Sequence, residues 1–292
     1  MAFDDLDEFD EKSSSNPCDN KNLVIFDSLN YMFKYKHKGI TNFSSQFLTD
    51  VRSFAKSYNA KQVILLGDCK GSKWRKSIYP EYKANRDKLK EAQTEEDSQA
   101  FKLFIEEYLK TIDLASNHFL TIVEEGIEAD DLAGFIAKNF KDHFDNIWLI
   151  STDKDWDLLV EDNIKRFSYI TRKEYREDNW DEVYEYPHDI RLDVKVLQGD
   201  TGDNIKGIPG IGPKRAVTLL NEYGSVMDIY DSLPLPGKQK FIQELNANKE
   251  LIPLNIDLID VYSNCEQAIS FVSRDLLDII YNKVVEDLSV RN

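Results

Sequence analysis

The chain has 292 residues, 41% of them hydrophobic, so it can bury a sizeable core in one large domain or two smaller ones. No apolar window reaches the roughly eighteen residues of a membrane span, and the acidic N-terminus lacks the basic and apolar regions of a signal peptide. Three widely separated cysteines exclude a disulfide framework and indicate a reducing cytoplasm. The net charge of −16 argues against nucleic acid, but residues 69–90 carry eight basic and two acidic side chains, so the total hides a basic strip.

The predicted elements begin after residues 1–20, whose Asp, Ser and Asn content predicts a disordered acidic tail. Apolar runs then alternate with helical periodicity, which predicts a mostly parallel sheet with helices on both faces over residues 21–188. The runs are NLVIFD (22–27), QVILLGD (62–68), NIWLISTD (146–153) and IKRFSYIT (164–171). From 189 to 292, short helical segments with Gly and Pro turns predict a second, mainly helical domain.

Acidic residues follow the first three runs, where each strand ends, and three more stand at the start of a predicted helix. They are Asp27, Asp68, Asp153, Glu128, Asp130 and Asp131. Each one alone has a structural explanation, such as a turn or a helix cap, and Asp157 is expected to be a solvated first-turn residue. Ligands bind open α/β sheets at the carboxyl ends of their strands, where converging carboxylates would repel one another without cations. Because the set contains only oxygen ligands, it favours two Mg²⁺ or Mn²⁺ ions and phosphoryl-transfer chemistry.

The string GDTGDNIKGIPGIGPKRA (199–216) adds Asp200 and Asp203 and then a glycine-rich hairpin that opens a helix. Its glycines let the backbone approach a phosphate, and the helix start attracts an anion without reading bases. Lys214 and Arg215 would reinforce this attraction. An ordinary helix–turn–helix is the alternative, but the whole string is typical of a helix–hairpin–helix that binds duplex irrespective of sequence.

Here the sequence resembles the 5′-nucleases, or flap endonucleases. It is similar to stand-alone phage members and to the 5′-nuclease domain of bacterial DNA polymerase I. The resemblance covers roughly residues 22–285. It depends on VIFDSLNYMF, LLGD, PEYKANRD, GIEADDLA, ISTDKDWDLL, GDTGDNIKGIPGIGPKRA and LPLPGKQKFIQELNA. It implies a PIN-like nuclease core with a helical arch at about 70–118, followed by the helix–hairpin–helix domain.

The resemblance also implies roles for individual residues. The family's metal-binding acids fall on Asp27, Asp68, Glu128, Asp130, Asp131, Asp153, Asp155, Asp200 and Asp203, of which Asp153 and Asp155 are also expected to be catalytic. The residues expected to contact DNA are Lys34, Tyr82, Lys83, Arg86, Gly207, Gly210, Gly212, Lys214 and Arg215. Lys83 and Arg86 would contact the scissile phosphate, and Tyr82 would stack on a base. Two positions depart from the family pattern, since Ser28 replaces a common glycine and Lys34 replaces an arginine. Phe101, Phe104 and Tyr108 form a helical stripe that predicts packing.

These observations predict a Mg²⁺-dependent, structure-specific DNA 5′-nuclease, in which Mn²⁺ can substitute and a monovalent cation such as K⁺ binds the hairpin. The expected partner is branched or 5′-ended DNA, with a replicative polymerase or single-strand-binding protein acting in trans. A monomer in the cytoplasm, the host's if the chain is phage-encoded, is expected. A PIN-type ribonuclease and a non-cleaving branched-DNA binding protein are the alternatives. The hairpin and arch segments disfavour the first, and nine mutually repelling acids disfavour the second.

Overall fold

A six-stranded sheet forms the centre of the structure, a computed structural model that describes residues 21–86 and 93–291. The predicted tail and residues 87–92 of the predicted arch lie outside the described residues. The strands are β1 Asn22–Asp27, β2 Ala60–Cys69, β3 Leu120–Glu125, β4 Asn146–Ile150, β5 Ile164–Ser168 and β6 Lys173–Tyr175. Their order is β3-β2-β1-β4-β5-β6, with every pair parallel except β5 and β6. The predicted, mostly parallel sheet is therefore confirmed.

The sequence analysis missed β3. This strand lies at the edge of the sheet, and only Ile122 among its six residues is fully buried. Its sequence LTIVEE therefore lacks the continuous apolar run that marks the central strands.

Helices cover both faces of the sheet. In the first half of the chain they are α1 Ser28–His37, α2 Ser44–Ser57, α3 Lys73–Ile78, α4 Glu95–Ser116 and α5 Ala129–Phe140. Leu23 and Ile25 pack on the face covered by α5, whereas Val24 and Phe26 pack on the face covered by α1, α2 and α4. The stripe predicted to pack is confirmed on α4, where Phe104 and Tyr108 are buried and Phe101 packs against the same cluster.

Helices also dominate the second half of the chain. They are α6 Arg191–Gln198, α7 Pro213–Tyr223, α8 Val226–Asp231, α9 Lys240–Ala247, α10 Leu251–Ile259, α11 Val261–Val272 and α12 Asp275–Arg291. A short antiparallel pair, β7 Gly199–Asp200 and β8 Ile205–Lys206, joins α6 to α7. Helices α6 to α9 and the start of α10 surround their own apolar cluster.

The last helices return to the sheet. Leu258, Cys265 and Ile280 belong to the same buried cluster as Ile25 of β1. At Gly134 of α5 a side chain would meet the backbone oxygen of Val261 at 2.5 Å, so α5 and α11 approach closely. The apolar faces of α11 and α12 are therefore buried against the first domain, and the boundaries of the helical domain over 189–292 stay a prediction.

The strand order creates a switch point between β1 and β4, because the chain proceeds from β1 to β2 and β3 on one side and to β5 on the other. At such a point the carboxyl ends of the strands leave an open crevice. The loops after β1, β2 and β4 meet there. No helix in the described part of the chain is both long and apolar enough to cross a membrane.

Candidate metal site and nucleic-acid interface

Three carboxylates lie where strands end at the crevice. Asp27 is the last residue of β1 and caps α1, and it accepts a hydrogen bond from Ser151 Oγ at 2.7 Å. Asp68, near the end of β2, accepts one from the backbone N–H of Ala129 at 2.7 Å. Asp153 follows β4 and accepts one from the backbone N–H of Asp155 at 3.0 Å. The structure thus brings the ends of these three strands to one edge, as the apolar runs predict.

Helix α5 presents the next acids. Glu128 stands at its N-terminus, is 2% exposed, and accepts hydrogen bonds from Lys83 Nζ at 2.5 Å and Tyr82 Oη at 2.8 Å. Asp130 accepts one from Trp156 Nε1 at 2.5 Å. Asp131 faces Arg75 of α3 instead, and its two oxygens bind both terminal nitrogens of that guanidinium.

Two more acids share a lysine that the sequence analysis did not identify. Lys195 of α6 forms ion pairs with Asp155 and with Asp200, whose Oδ2 lies 3.0 Å from Lys195 Nζ. A cavity of about 610 Å³ opens beside them and is lined by Asp153, Asp155, Asp200 and Lys195, among others. The backbone N–H groups of Gly202 and Asp203 also donate to Asp200. The ion pairs of Lys195 and the contacts of Asp200 hold the segment after α6 against the edge of the sheet.

Two cationic side chains of the segment after α3 lie on one side of the site. Lys83 Nζ lies 3.4 Å from Asp203 Oδ2 in addition to its contact with Glu128, and its side chain is 15% exposed. Arg86 binds Asp203 Oδ1 at 2.8 Å and remains half exposed. Both cations therefore stand at the acids, where they can meet a phosphate that approaches the same carboxylates.

The burial of Tyr82 does not fit its predicted role of stacking on a base. Its ring is 2% exposed within the core, and its hydroxyl donates to Glu128 and to Asp203 at 2.8 and 3.0 Å. Stacking on a base needs an open ring face, and burial removes that face. The residue instead ties the segment that carries Lys83 to two acids.

Lys34 and Asp157 both form ion pairs inside the fold, which was not expected for Asp157. The ammonium of Lys34 binds Asp50 and Tyr31 in this structure, and its contact with DNA phosphate stays a prediction. Asp157, expected to be solvated, is 5% exposed and holds Arg166 through both of its oxygens. In both cases a partner distant in sequence neutralises the charge inside the fold.

The acids fall into two groups by the charge that faces them. Protein cations pair with five of the nine, namely Glu128, Asp131, Asp155, Asp200 and Asp203. Within residues 21–86 and 93–291, no such ion pair is formed by Asp27, Asp68, Asp130 or Asp153. The second group therefore leaves negative charge at the edge for a ligand cation to offset.

Burial is the largest influence on the pKa values of these side chains. Burial and the charge of Asp68 raise the pKa of Asp27 well above its ordinary value. Burial and the charge of Glu128 raise the pKa of Asp68 to about 6, and burial followed by Asp153 strongly raises that of Asp130. Burial opposes ionisation of Glu128 too, but Lys83 and Arg75 outweigh it and lower its pKa to about 2. Burial also raises the pKa of Asp131, Asp155 and Asp203, although each has a cationic partner, so a raised pKa does not separate the two groups.

The donor set fits a hard divalent cation, since every candidate ligand is a carboxylate oxygen. The side chains nevertheless point at protein groups, and among the described residues no three acidic, histidine or cysteine side chains are grouped as metal ligands. The assignment of the nine acids to metal therefore stays a prediction. Lys83 and Lys195 draw several of the carboxylates toward themselves.

The glycine hairpin lies between β8 and α7. Gly210 has φ +82°, and its carbonyl accepts a hydrogen bond from Arg215 at 2.6 Å. Gly212 caps α7, with open space where a side chain would stand and with Lys214 exposed just beyond. Gly207 differs, because an added Cβ would lie 1.9 Å from the carbonyl oxygen of Gln198. Packing against Gln198 thus accounts for Gly207, and a monovalent cation at the hairpin stays a prediction.

Sequence reasoning missed Arg75 and Lys195. Arg75 lies in the basic strip, where nothing distinguishes it from its exposed neighbours. Lys195 is one polar residue of an amphipathic helix. A weak signal existed for Lys195, since it precedes Asp200 by about one and a half helical turns. Its pairing with Asp155 depends on the fold alone.

A parallel sheet with an acidic switch-point edge, flanked by cations and followed by a glycine hairpin, defines a metal-dependent nuclease. Family models agree along most of the chain. Residues 22–185 match the N-terminal resolvase-like domain of 5′-3′ exonucleases, and residues 186–279 match their C-terminal SAM fold. The chain belongs to the 5′-3′ exonuclease family, which includes flap endonucleases.

Individual relatives are similar over nearly the whole chain. The flap endonuclease of Escherichia phage T5 is 40% identical over 285 residues, which cover 95% of this chain and 96% of that protein. The 5′-3′ exonuclease of Mycoplasmopsis pulmonis is 33% identical over 220 residues, 73% and 68% of the two chains. A structure of the T5 5′-exonuclease with bound zinc superposes with a TM-score of 0.87 at 40% identity, covering 93% of this chain and 100% of that one. The T5 flap endonuclease in a pseudo-enzyme–product complex with DNA and metal ions gives 0.88 at 40% identity over 91% and 99%.

Proposed function

We propose that the protein is a Mg²⁺-dependent 5′-nuclease that cuts DNA at or near the junction of a 5′ single strand with duplex. The observation that carries the proposal is a group of four carboxylates at the switch point of a sheet that matches a DNA-bound relative. Asp27, Asp68, Asp130 and Asp153 form no ion pair with a cation of residues 21–86 and 93–291. Two divalent ions held there would activate a water and stabilise the departing 3′ oxygen.

The protein's own residues divide the remaining work. Lys83 and Arg86 stand beside the acids and would hold the scissile phosphate against them, offsetting charge that grows as the bond breaks. The ammonium of Lys195 lies against both Asp155 and Asp200, so it favours their ionised forms and opposes the rise in pKa that burial causes at Asp155. Asp155 and Asp200 would thereby remain available to a second ion.

The hairpin would hold the duplex. The N-terminus of α7 at Gly212 is open, and Lys214 beside it is exposed, so a backbone phosphate can approach the helix start without reading a base. We further propose that the enzyme works as a monomer in the cytoplasm of a host cell. A polymerase or single-strand-binding protein would act with it in trans.

End-labelled DNA substrates test this function. We expect a 5′ flap to be cut near its junction with Mg²⁺, less efficiently or equally with Mn²⁺, and not at all with EDTA. Asp153→Asn serves as the matched control, because it retains the shape of the side chain and removes its charge. Cleavage of single-stranded RNA in preference to flap DNA would identify a ribonuclease, and tight flap binding without any Mg²⁺-dependent cleavage would identify a binding protein.

A further inference from the structure

Arg75 of α3 is a buried cation beside the acidic edge and is 2% exposed. Its Nη1 and Nη2 donate to the two oxygens of Asp131 at 2.7 and 2.8 Å, and Asp131 itself is 0% exposed. Nη1 also lies 3.2 Å from Glu128 Oε2. Its Nε donates to the carbonyl oxygen of Leu258 at 2.8 Å. One guanidinium therefore joins α3, the first turn of α5 and the end of α10.

Asp130 and Asp131 are neighbours that face different surroundings. Consecutive residues of a helix point about 100° apart, so two adjacent carboxylates rarely share one small site. The indole of Trp156 contacts Asp130 at 2.5 Å, and burial, followed by the charges of Asp153 and Asp68, raises its pKa. Asp131 lies toward α3, in a planar bidentate contact that a guanidinium forms more favourably than an ammonium.

A metal ion at Asp131 would have to replace this contact. Breaking a buried, hydrogen-bonded pair leaves an uncompensated charge in the interior, which is strongly unfavourable. Removal of Asp131 from Arg75 would also loosen the link from α5 to Leu258 of α10. Among the residues that the structure describes, Asp130 has no ion pair that a metal would have to replace.

We propose that Asp131 is the counter-ion of Arg75 and not a metal ligand, and that the Arg75–Asp131 pair positions the first turn of α5 so that Glu128 and Asp130 face the metal site. The inference deepens the proposed function, since it assumes that Asp130 binds metal. It assigns to Asp131 a role that differs from the one implied by the GIEADD motif.

The test compares wild type with Asp130→Asn, Asp131→Asn and the double variant Arg75→Met with Asp131→Leu. Two quantities are measured for each, namely Tm in EDTA and the number and affinity of bound Mn²⁺ ions by titration calorimetry without DNA. Asp131→Asn should lower Tm in EDTA by about 6–12 °C, because Arg75 loses its bidentate partner. Asp130→Asn should leave Tm unchanged or raise it, because it removes one of several repelling charges.

Mn²⁺ binding should show the opposite order. Asp130→Asn should weaken it by more than about tenfold, as even outer partners of a metal site contribute that much. The double variant replaces the pair with apolar groups, so it should recover most of the Tm lost in Asp131→Asn and bind as many Mn²⁺ ions as wild type. If the double variant does not fold, the number of Mn²⁺ ions bound by Asp131→Asn decides whether Asp131 is a metal ligand.

The inference is overturned if either Asp131 variant binds fewer Mn²⁺ ions than wild type, or if Asp131→Asn is as stable as wild type in EDTA. Neither measurement uses DNA. A chain that passed this test and failed to cut flap DNA would refute the proposed function and leave the pairing of Arg75 with Asp131 intact.

Discussion

Lys83→Ala tests the proposed mechanism most directly. The ammonium of Lys83 lies 2.5 Å from Glu128 Oε1 and 3.4 Å from Asp203 Oδ2 and is only 15% exposed, so it is held rigidly in a poorly solvated place. Loss of one preorganised donor of this kind costs about 10²–10³ in rate. We therefore expect single-turnover cleavage of a 5′-flap substrate to fall by about 10²-fold or more.

The cost to folding should be smaller than for an isolated buried pair. Glu128 keeps Arg75 and Tyr82 as partners, and Asp203 keeps Arg86. We expect a loss of about 1–2 kcal/mol, below the roughly 3–5 kcal/mol typical when one side of a buried pair is removed. Lys83 also has φ +57°, so Lys83→Gly relieves backbone strain and should be more stable than Lys83→Ala at the same cleavage rate.

The assay uses enzyme in excess over flap DNA at saturating concentration, which separates chemistry from binding. Flap affinity should fall far less than the rate, because other phosphate contacts remain. Lys76→Ala is the matched control, since Lys76 lies exposed on α3 in the same basic strip. If Lys83→Ala loses affinity and keeps its single-turnover rate, Lys83 only docks DNA and the mechanism is wrong.

Three further predictions concern the acids and the hairpin. Asp153→Asn should nearly abolish cleavage, while flap binding, measured by anisotropy, stays equal or improves. Cleavage by this variant at the wild-type rate would show that Asp153 is not part of the site. Lys214→Ala should weaken duplex binding equally for all base sequences and reduce its salt dependence. Gly212→Val should fold normally, since a side chain there has open space in the free protein, and should lose more duplex affinity. A change in affinity for one base sequence only would count against phosphate contact. The pKa of Asp68 rises from 3.8 to about 6 on folding. Between about pH 3.8 and 6 the folded state therefore binds more protons than the unfolded state, so this group's contribution to stability falls as pH rises. In EDTA, Asp68→Asn should therefore gain Tm over wild type at about pH 7.5 but little at about pH 5, and a pH-independent difference would contradict the shift.

The parts of the site that lie next to a strand in sequence were predictable. Asp27, Asp68 and Asp153 follow apolar runs, and parallel strands bring their carboxyl ends to one edge whatever the details of packing. The glycine hairpin was equally accessible, because its turn chemistry is local and Gly210 adopts the positive φ that such a turn requires. Local pattern and strand direction suffice for these features.

The amino-acid sequence by itself thus determined the strands β1, β2, β4 and β5, the acidic edge and the hairpin. Only the tertiary structure decided which charges meet. Arg75 reaches Asp131 across 56 positions of the chain, and Lys195 reaches Asp155 across 40. Tyr82 is buried because the chain folds back over the acids, and α11 and α12 return to cover the first domain. Burial and ion pairing depend on the neighbours that packing supplies, and these neighbours lie far apart in the sequence, so no local pattern of residue types records them.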